Sequence, residues 1–180
     1  METPEAVRMG KELYVAAMKG NIEFLHEAQN DDSLRRKTHE QNNAIHIATR
    51  HEQHEFIEVF LRKFPNNSEL ICEKNSKGNT PVHTAAEVGS LNIVSQLYTY
   101  LESIEGRDES DDDNNKPWKR KSSKGNTVVH VALIHSNVKI ARFLLEKDSD
   151  LAYIVNESME APLHLAIKHH VNYCKLLILN

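Results

Sequence analysis

Apolar residues between Lys77 and Tyr98 recur at helical spacing, broken by turn-forming residues, and this stretch sets the reading of the chain. Val82, Ala85 and Ala86 fall on one face of a short helix, and Leu91, Val94, Leu97 and Tyr98 fall on one face of a second. The residues around them act as punctuation. Gly78 supplies a turn, Thr80 suits a helix N-cap, and Pro81 sits at the first helical position, where its missing N–H costs nothing. Gly89 then ends the helix. Two helices joined by so short a turn lie antiparallel.

The same grammar recurs at Lys11–Ala17 with Gly20, at Asn43–Thr49, at Thr127–Leu133 and at Ala161–Ile167. The anchors 11, 43, 80, 127 and 161 are 32, 37, 47 and 34 residues apart. His46, His83, His130 and His164 stand in register, each followed two residues later by Ala. A period near ~33 residues with a T-P-L-H-x-A pattern is the signature of ankyrin repeats. The chain therefore resembles the ankyrin-repeat family over nearly all its length. That resemblance implies an all-α solenoid forming a single domain over 1–180. Repeats are expected near 10–37, 38–74, 75–101, 122–155 and 156–180, with a charged insert at 102–121. In ankyrin repeats the histidine is structural, bonding the backbone of neighbouring turns, and His46, His83, His130 and His164 take that role.

The first unit departs from the pattern, with Lys11 for Thr and Tyr14 for His, as terminal repeats often do because one flank faces water. Leu13, Ala16, Ala17, Ile22, Phe24 and Leu25 still give it an inward face. Leu13–Asn21 resembles the first repeat of plant ankyrin proteins of the accelerated-cell-death type. Members of that group carry an N-terminal ankyrin array followed by transmembrane helices and are linked to defence and stress signalling.

In the second unit Ile45, Ile47, Ala48, Phe56, Ile57, Phe60 and Leu61 read as core. His51-Glu52-Gln53-His54 is not a zinc-protease motif, which needs histidines four apart on one helical face. Glu52 stands where the inter-helix glycine belongs, so the stretch straddles a turn. Phe64–Cys72 reads as a connector whose role is geometric. Val129, Val131, Ala132, Ile140, Ala141, Phe143, Leu144 and Leu145 form the next core layer, and Leu163, Leu165, Ala166, Leu176, Ile178 and Leu179 the last. The apolar ending Lys175–Asn180 carries no polar cap. It is expected to continue into a longer protein, or to associate end to end with a second copy.

The insert runs from an acidic block, Glu105, Asp108, Glu109, Asp111, Asp112 and Asp113, to a basic one, Lys116, Lys119, Arg120, Lys121 and Lys124, around the only tryptophan, Trp118. It lacks apolar periodicity and is expected to project as a solvated loop. A calcium site would want alternating oxygen ligands around a central glycine, which is absent after Asp108. Ser110, Ser122 and Ser123 are candidates for phosphorylation, which would alter how the two charge blocks attract. Trp118, Lys119, Arg120 and Lys121 are the loop's candidate contact residues, since tryptophan is a preferred interface anchor. They support an alternative reading, a nuclear or cytoplasmic regulator contacting nucleic acid or an import receptor.

Composition narrows the classes. The 180 residues carry a net charge of −4, which argues against a general nucleic-acid binder. No run of ~18 apolar residues appears and the first residues lack a secretory signal, so this segment is expected to be cytoplasmic and without membrane contact. Cys72 and Cys174 read as reduced thiols. Equivalent histidines of successive repeats lie at least one helix-packing distance apart, ~8–10 Å. Ligands sharing a zinc ion must approach within about 4 Å, so the ladder does not chelate. His169 and His170 point to different sides of a helix. Neither a phosphate loop nor a nucleophile with its base is visible, and no cofactor or catalytic role is expected.

What remains is surface. In ankyrin arrays partners bind the concave side, and carrying those positions over gives a groove of Met18, Lys19, Arg50, His51, Glu87, Val88, Ile134, His135, Lys168 and His169. The finger tips are His39, Glu40 and Asn42; Ser76, Lys77 and Asn79; Ser123, Lys124 and Asn126; and Glu157, Ser158 and Glu160. Val88 and Ile134 are apolar where the fold does not need them, with basic residues on either side. A partner protein or peptide that is apolar in its middle and acidic at its ends fits that pattern. His51, His135 and His169 add a pH dependence near neutrality.

Overall fold

The computed structural model describes residues 9–28, 31–105 and 117–169. Its helices are α1 (Lys11–Lys19), α2 (Ile22–Glu27), α3 (Asp31–Leu34), α4 (Ala44–Arg50), α5 (His54–Lys63), α6 (Pro81–Val88), α7 (Leu91–Glu105), α8 (Val128–Ile134), α9 (Val138–Lys147) and α10 (Pro162–His169). The first helices α1, α4, α6, α8 and α10 stack one on the next, and the second helices α2, α5, α7 and α9 stack behind them. This is the all-α solenoid that the periodicity predicts. Between the two layers lie Leu25, Ile45, Phe56, Ile57, Phe60, Ile93, Leu97, Val129, Ile140 and Leu144, all buried.

Local chemistry fixes each helix start. Asn43, Thr80 and Thr127 cap α4, α6 and α8 with extended backbone, and each is paired with the histidine three residues on. The hydroxyls of Thr80 and Thr127 lie 2.8 Å from Nδ1 of His83 and His130. The same Nδ1 atoms accept the cap residues' backbone N–H groups. Helix ends are equally local. Gly20 and Gly89 take left-handed backbone after α1 and α6, and the aligned positions in the second and fourth units are filled by Glu52 and Ser136 with φ of 57° and 61°.

The junction between repeats is made by the other imidazole nitrogen. His46 Nε2 lies 2.9 Å from the Asn79 carbonyl, His83 Nε2 3.1 Å from that of Asn126, and His130 Nε2 2.9 Å from that of Glu160. Donation by Nε2–H to the following repeat, with Nδ1 accepting from its own cap, uses a neutral ring fully. Burial holds His46 down to about 4, against the opposing pull of the Asn79 carbonyl, with Lys37 and Arg50 adding repulsion. Burial holds His83 down to about 4 as well, against the Asn126 carbonyl, and lowers His130 in the same way. His164 departs from the series. Its Nδ1 accepts from the Ala161 N–H at 2.9 Å, and the ring is exposed, with no following turn among the described residues.

The turns between repeats stack as well. Each tip closes on itself: Asn75 N–H donates to Asn79 at 2.9 Å, Ser122 to Asn126 at 2.9 Å and Asn156 to Glu160 at 3.0 Å. Successive tips are then joined, with Ser76 N–H donating to the Glu40 carbonyl, Ser123 to Lys77 and Glu157 to Lys124, at 2.9, 3.1 and 3.2 Å. Gly78, with φ of 70°, is required twice over, since a Cβ there would also lie 2.3 Å from Ser123 N.

Three expectations are corrected. Helix α7 runs through Glu105, so the first four residues of the expected insert, 102–105, are helical. Trp118 does not project. It lies in a 3-10 turn at Pro117–Lys119 and is only 4% exposed, its ring 4.5 Å from that of Tyr98, which in turn meets Phe143 edge-on at 5.8 Å. Its Nε1–H donates to Asp148 Oδ2 at 3.2 Å, and the buried Lys119 ammonium lies 3.2 Å from the same oxygen. Arg120 donates to the Cys72 carbonyl at 3.0 Å and Lys121 to that of Val155 at 2.8 Å. Residues 117–121 are therefore part of the packed array, because the aromatic surface of Tyr98 and Phe143 gives an indole a drier seat than water. Leu163 is 38% exposed, unlike its buried equivalents Ile45, Val82 and Val129. The acidic positions 108–113 and Leu176, Ile178 and Leu179 lie outside the described residues.

Acid should loosen the junctions. Because the folded histidines titrate below the unfolded value near 6.5, the unfolded chain takes up protons first. The stabilisation is complete above about pH 6.5 and is lost as pH falls toward 4. Unfolding free energies from urea titrations at pH 7.5 and pH 5 are expected to differ by about 2 kcal/mol for each of His46 and His83, with the lower midpoint at pH 5. A His83→Gln variant keeping the midpoint shift of the wild type would refute this. Gly78→Ala is expected to cost at least about 1 kcal/mol, read as a lower urea midpoint, since both its dihedral and its space are taken. Asp148→Ala, which removes the nearer carboxylate from the buried Lys119 ammonium and the acceptor from the Trp118 N–H, is expected to lower the urea midpoint and to shift Trp118 emission to longer wavelength.

Candidate functional site

Helix stacking determines which residues share one side of the array. The last turns of α1, α4, α6, α8 and α10 lie side by side, so equivalent positions form two continuous rows. One row is Met18, Arg50, Glu87, Ile134 and Lys168; the other is Lys19, His51, Val88, His135 and His169. Lys19, Arg50, His51, His135 and Lys168 are exposed, whereas Met18 and Glu87 are half-buried. His169 ends α10, and only its backbone place is described. Val88 and Ile134 are 37% and 41% exposed, although Val82, Ala85 and Ala86 of the same helix as Val88 are buried. The apolar pair therefore belongs to neighbouring helices at the centre of the rows, outside the core.

Electrostatics divides the basic positions. Lys168 Nζ lies 3.1 Å from Glu160 Oε1, and that ammonium holds the Glu160 carboxyl below its ordinary value. The ammonium groups of Lys77 and Lys124 have no partner among the described residues. His39, Glu40, Ser76, Ser123, Glu157 and Ser158 share the exposure of these lysines on the tips.

Some tip positions face inward. Asn42 and Asn126 are buried and Asn79 half-buried, because the residue before each cap turns toward the following repeat. Asn42 Oδ1 accepts from Asn75 Nδ2 and Asn126 Oδ1 from Asn156 Nδ2, each at 2.9 Å. These asparagines are joints between turns. Met159 is an addition to the tip surface. It occupies the place of Gly78 and Gly125, with φ of 59°, and its side chain is exposed. Its departure from the glycine pattern was the signal in the sequence.

Among the described residues no three His, Cys, Asp or Glu side chains come together as metal ligands, and no helix is long and apolar enough to cross a membrane. Cys72 is half-buried and in no disulfide among the described residues; Cys174 lies outside them. The arrangement offers a long surface of apolar, cationic and imidazole groups, suited to holding another chain.

Comparison with known proteins agrees with that geometry. The family model described as ankyrin repeats (3 copies) matches residues 13–109 and, a second time, 104–180. No curated protein matches the chain. With the two matches spanning most of its length, the chain belongs to the ankyrin-repeat family.

Proposed function

We propose that this chain is a non-catalytic recognition module that binds a partner protein or peptide along its concave groove. Ankyrin repeats generally mediate protein–protein interaction, and the observation that carries the reading here is the exposed pair Val88 and Ile134. Two apolar side chains on adjacent helices, ringed by Arg50, His51, His135 and Lys168, have the form of an interface centre with a polar rim. The partner segment is apolar at its middle and acidic toward its ends. On the resemblance of Leu13–Asn21 to plant accelerated-cell-death-type proteins, the module acts in defence or stress signalling, as the cytosolic part of a larger membrane protein.

The loop reading has less support, since Trp118 and Lys119 are buried and Arg120 and Lys121 hold backbone carbonyls of the array. The test is a pull-down from plant-cell extract with the wild-type chain and with the double variant Val88→Glu, Ile134→Glu, both checked by circular dichroism. Loss in the variant of a protein that the wild type retains is the expected outcome. Equal recovery by both, or recovery lost only on Arg120→Glu, Lys121→Glu, would remove the groove from the account.

A further inference from the structure

Repeats 3 and 4 also share the sequence of their tips. Their tips are the same pentapeptide, Ser76-Lys77-Gly78-Asn79-Thr80 and Ser123-Lys124-Gly125-Asn126-Thr127, in neighbouring places along the array. The two glycines have φ of 70° and 72°, and a bond of 3.1 Å from Ser123 N–H to the Lys77 carbonyl locks one tip to the next. Both lysines thus project from rigid, matched turns about one repeat spacing apart, about 10 Å. Repeats 2 and 5 carry Glu40 and Ser158 at the place of these lysines, so the basic pair is bounded on both sides. The same two repeats supply Val88 and Ile134 to the groove.

The basic pair lies on the tips and the apolar pair in the last turns of α6 and α8, with Ile134 one position nearer its tip than Val88. The base of a tip and Val88 are separated by the length of α6, 8 residues, which at about 1.5 Å each is about 12 Å. That matches the diameter of an α-helix with its side chains, about 10–12 Å. Carboxylates at positions i and i+7 of a helix stand about 10.5 Å apart along one side, matching the spacing of the two lysines. The residue next to each lies about 100° around the same helix, facing the apolar pair. Glu87, half-buried beside Val88, disfavours a partner that is acidic on every side.

We propose that repeats 3 and 4 hold an amphipathic partner helix, its acidic stripe against Lys77 and Lys124 and its apolar stripe against Val88 and Ile134. This rests on the groove reading above and specifies the chemistry of the occupant. In a chain of net charge −4, such a local cationic pair selects among partners by position, and its attraction weakens as salt rises.

The probe is a fluorescein-labelled 15-residue peptide, stapled as a helix, with glutamates at i and i+7 and leucines at i+1 and i+8, titrated with the full chain by anisotropy. Its Kd is expected to rise at least tenfold in Lys77→Glu, Lys124→Glu and in Val88→Glu, Ile134→Glu, and to hold within twofold in the control Lys139→Glu. A scrambled peptide of equal composition, stapled alike, should bind at least tenfold more weakly. Absence of binding by the striped peptide, equal binding by the scrambled one, or indifference to the tip variant would each overturn the proposal. The pulled-down partner separates the two readings. Its loss with Val88→Glu, Ile134→Glu but full retention with Lys77→Glu, Lys124→Glu would leave the groove standing and remove the acidic helix. Retention by both variants would remove both.

Discussion

The structure depends on a hydrogen bond that no single repeat can make alone: from a buried histidine of one repeat to a backbone carbonyl at the base of the next tip. His46, His83 and His130 each make it. Hydrophobic contact between stacked helices is large but tolerant of sliding, whereas a bond from a buried ring to one carbonyl fixes register. The cap on the other ring nitrogen completes the device, so that helix start, histidine and following turn are set together. Neutrality of the ring is the condition, and burial supplies it by making the charged form expensive.

Registered tips are what make the surface usable. Because each turn is closed by its own backbone bond and tied to the next by another, the side chains at Lys77 and Lys124 are held at a spacing set by the fold. Less entropy is then lost on binding than a flexible loop with the same residues would lose. The cost appears where the pattern lacks glycine. Gln41 and Met159 take left-handed backbone at the tip, and Glu52 and Ser136 do so between helices, each at roughly 1 kcal/mol. The stacked neighbours dictate the conformation, so the residue is forced to adopt it.

Much of this was legible in the sequence because its causes are local. Thr80, Pro81, His83 and Gly89 belong to one helix and its two caps, and the signals that start, register and end α6 sit beside one another. The histidine ladder was legible for the same reason, being a pattern repeated in register. Trp118 was not legible, because what buries it is distant along the chain: Tyr98 and Phe143 for its ring, and Asp148 for its N–H. A polar stretch with no periodicity gives no sign that separate helices have prepared a seat for its one large ring. Asn126 was misplaced for a related reason. A turn residue reads as exposed until the next turn is stacked on it.

The same division lets the ends of α6 and α8 vary without endangering the fold. On α6 and α8 the residues that carry stability, Val82, Ala85 and Ala86 or Val129, Ala132 and Leu133, lie in the first two turns and face inward. Val88 and Ile134 lie in the last turn and contribute little to the core, so their identity is free to follow a partner. Tip residues divide in the same way: Asn79 and Asn126 supply the carbonyls that the histidines need, whereas the side chains of Lys77 and Lys124 serve no junction. A residue that the scaffold does not use, held in place by residues it does use, is where recognition chemistry can be set at small cost to stability. In this chain the unused positions of repeats 3 and 4 are apolar on the helix ends and cationic on the tips, which points to a partner carrying both characters on adjoining faces.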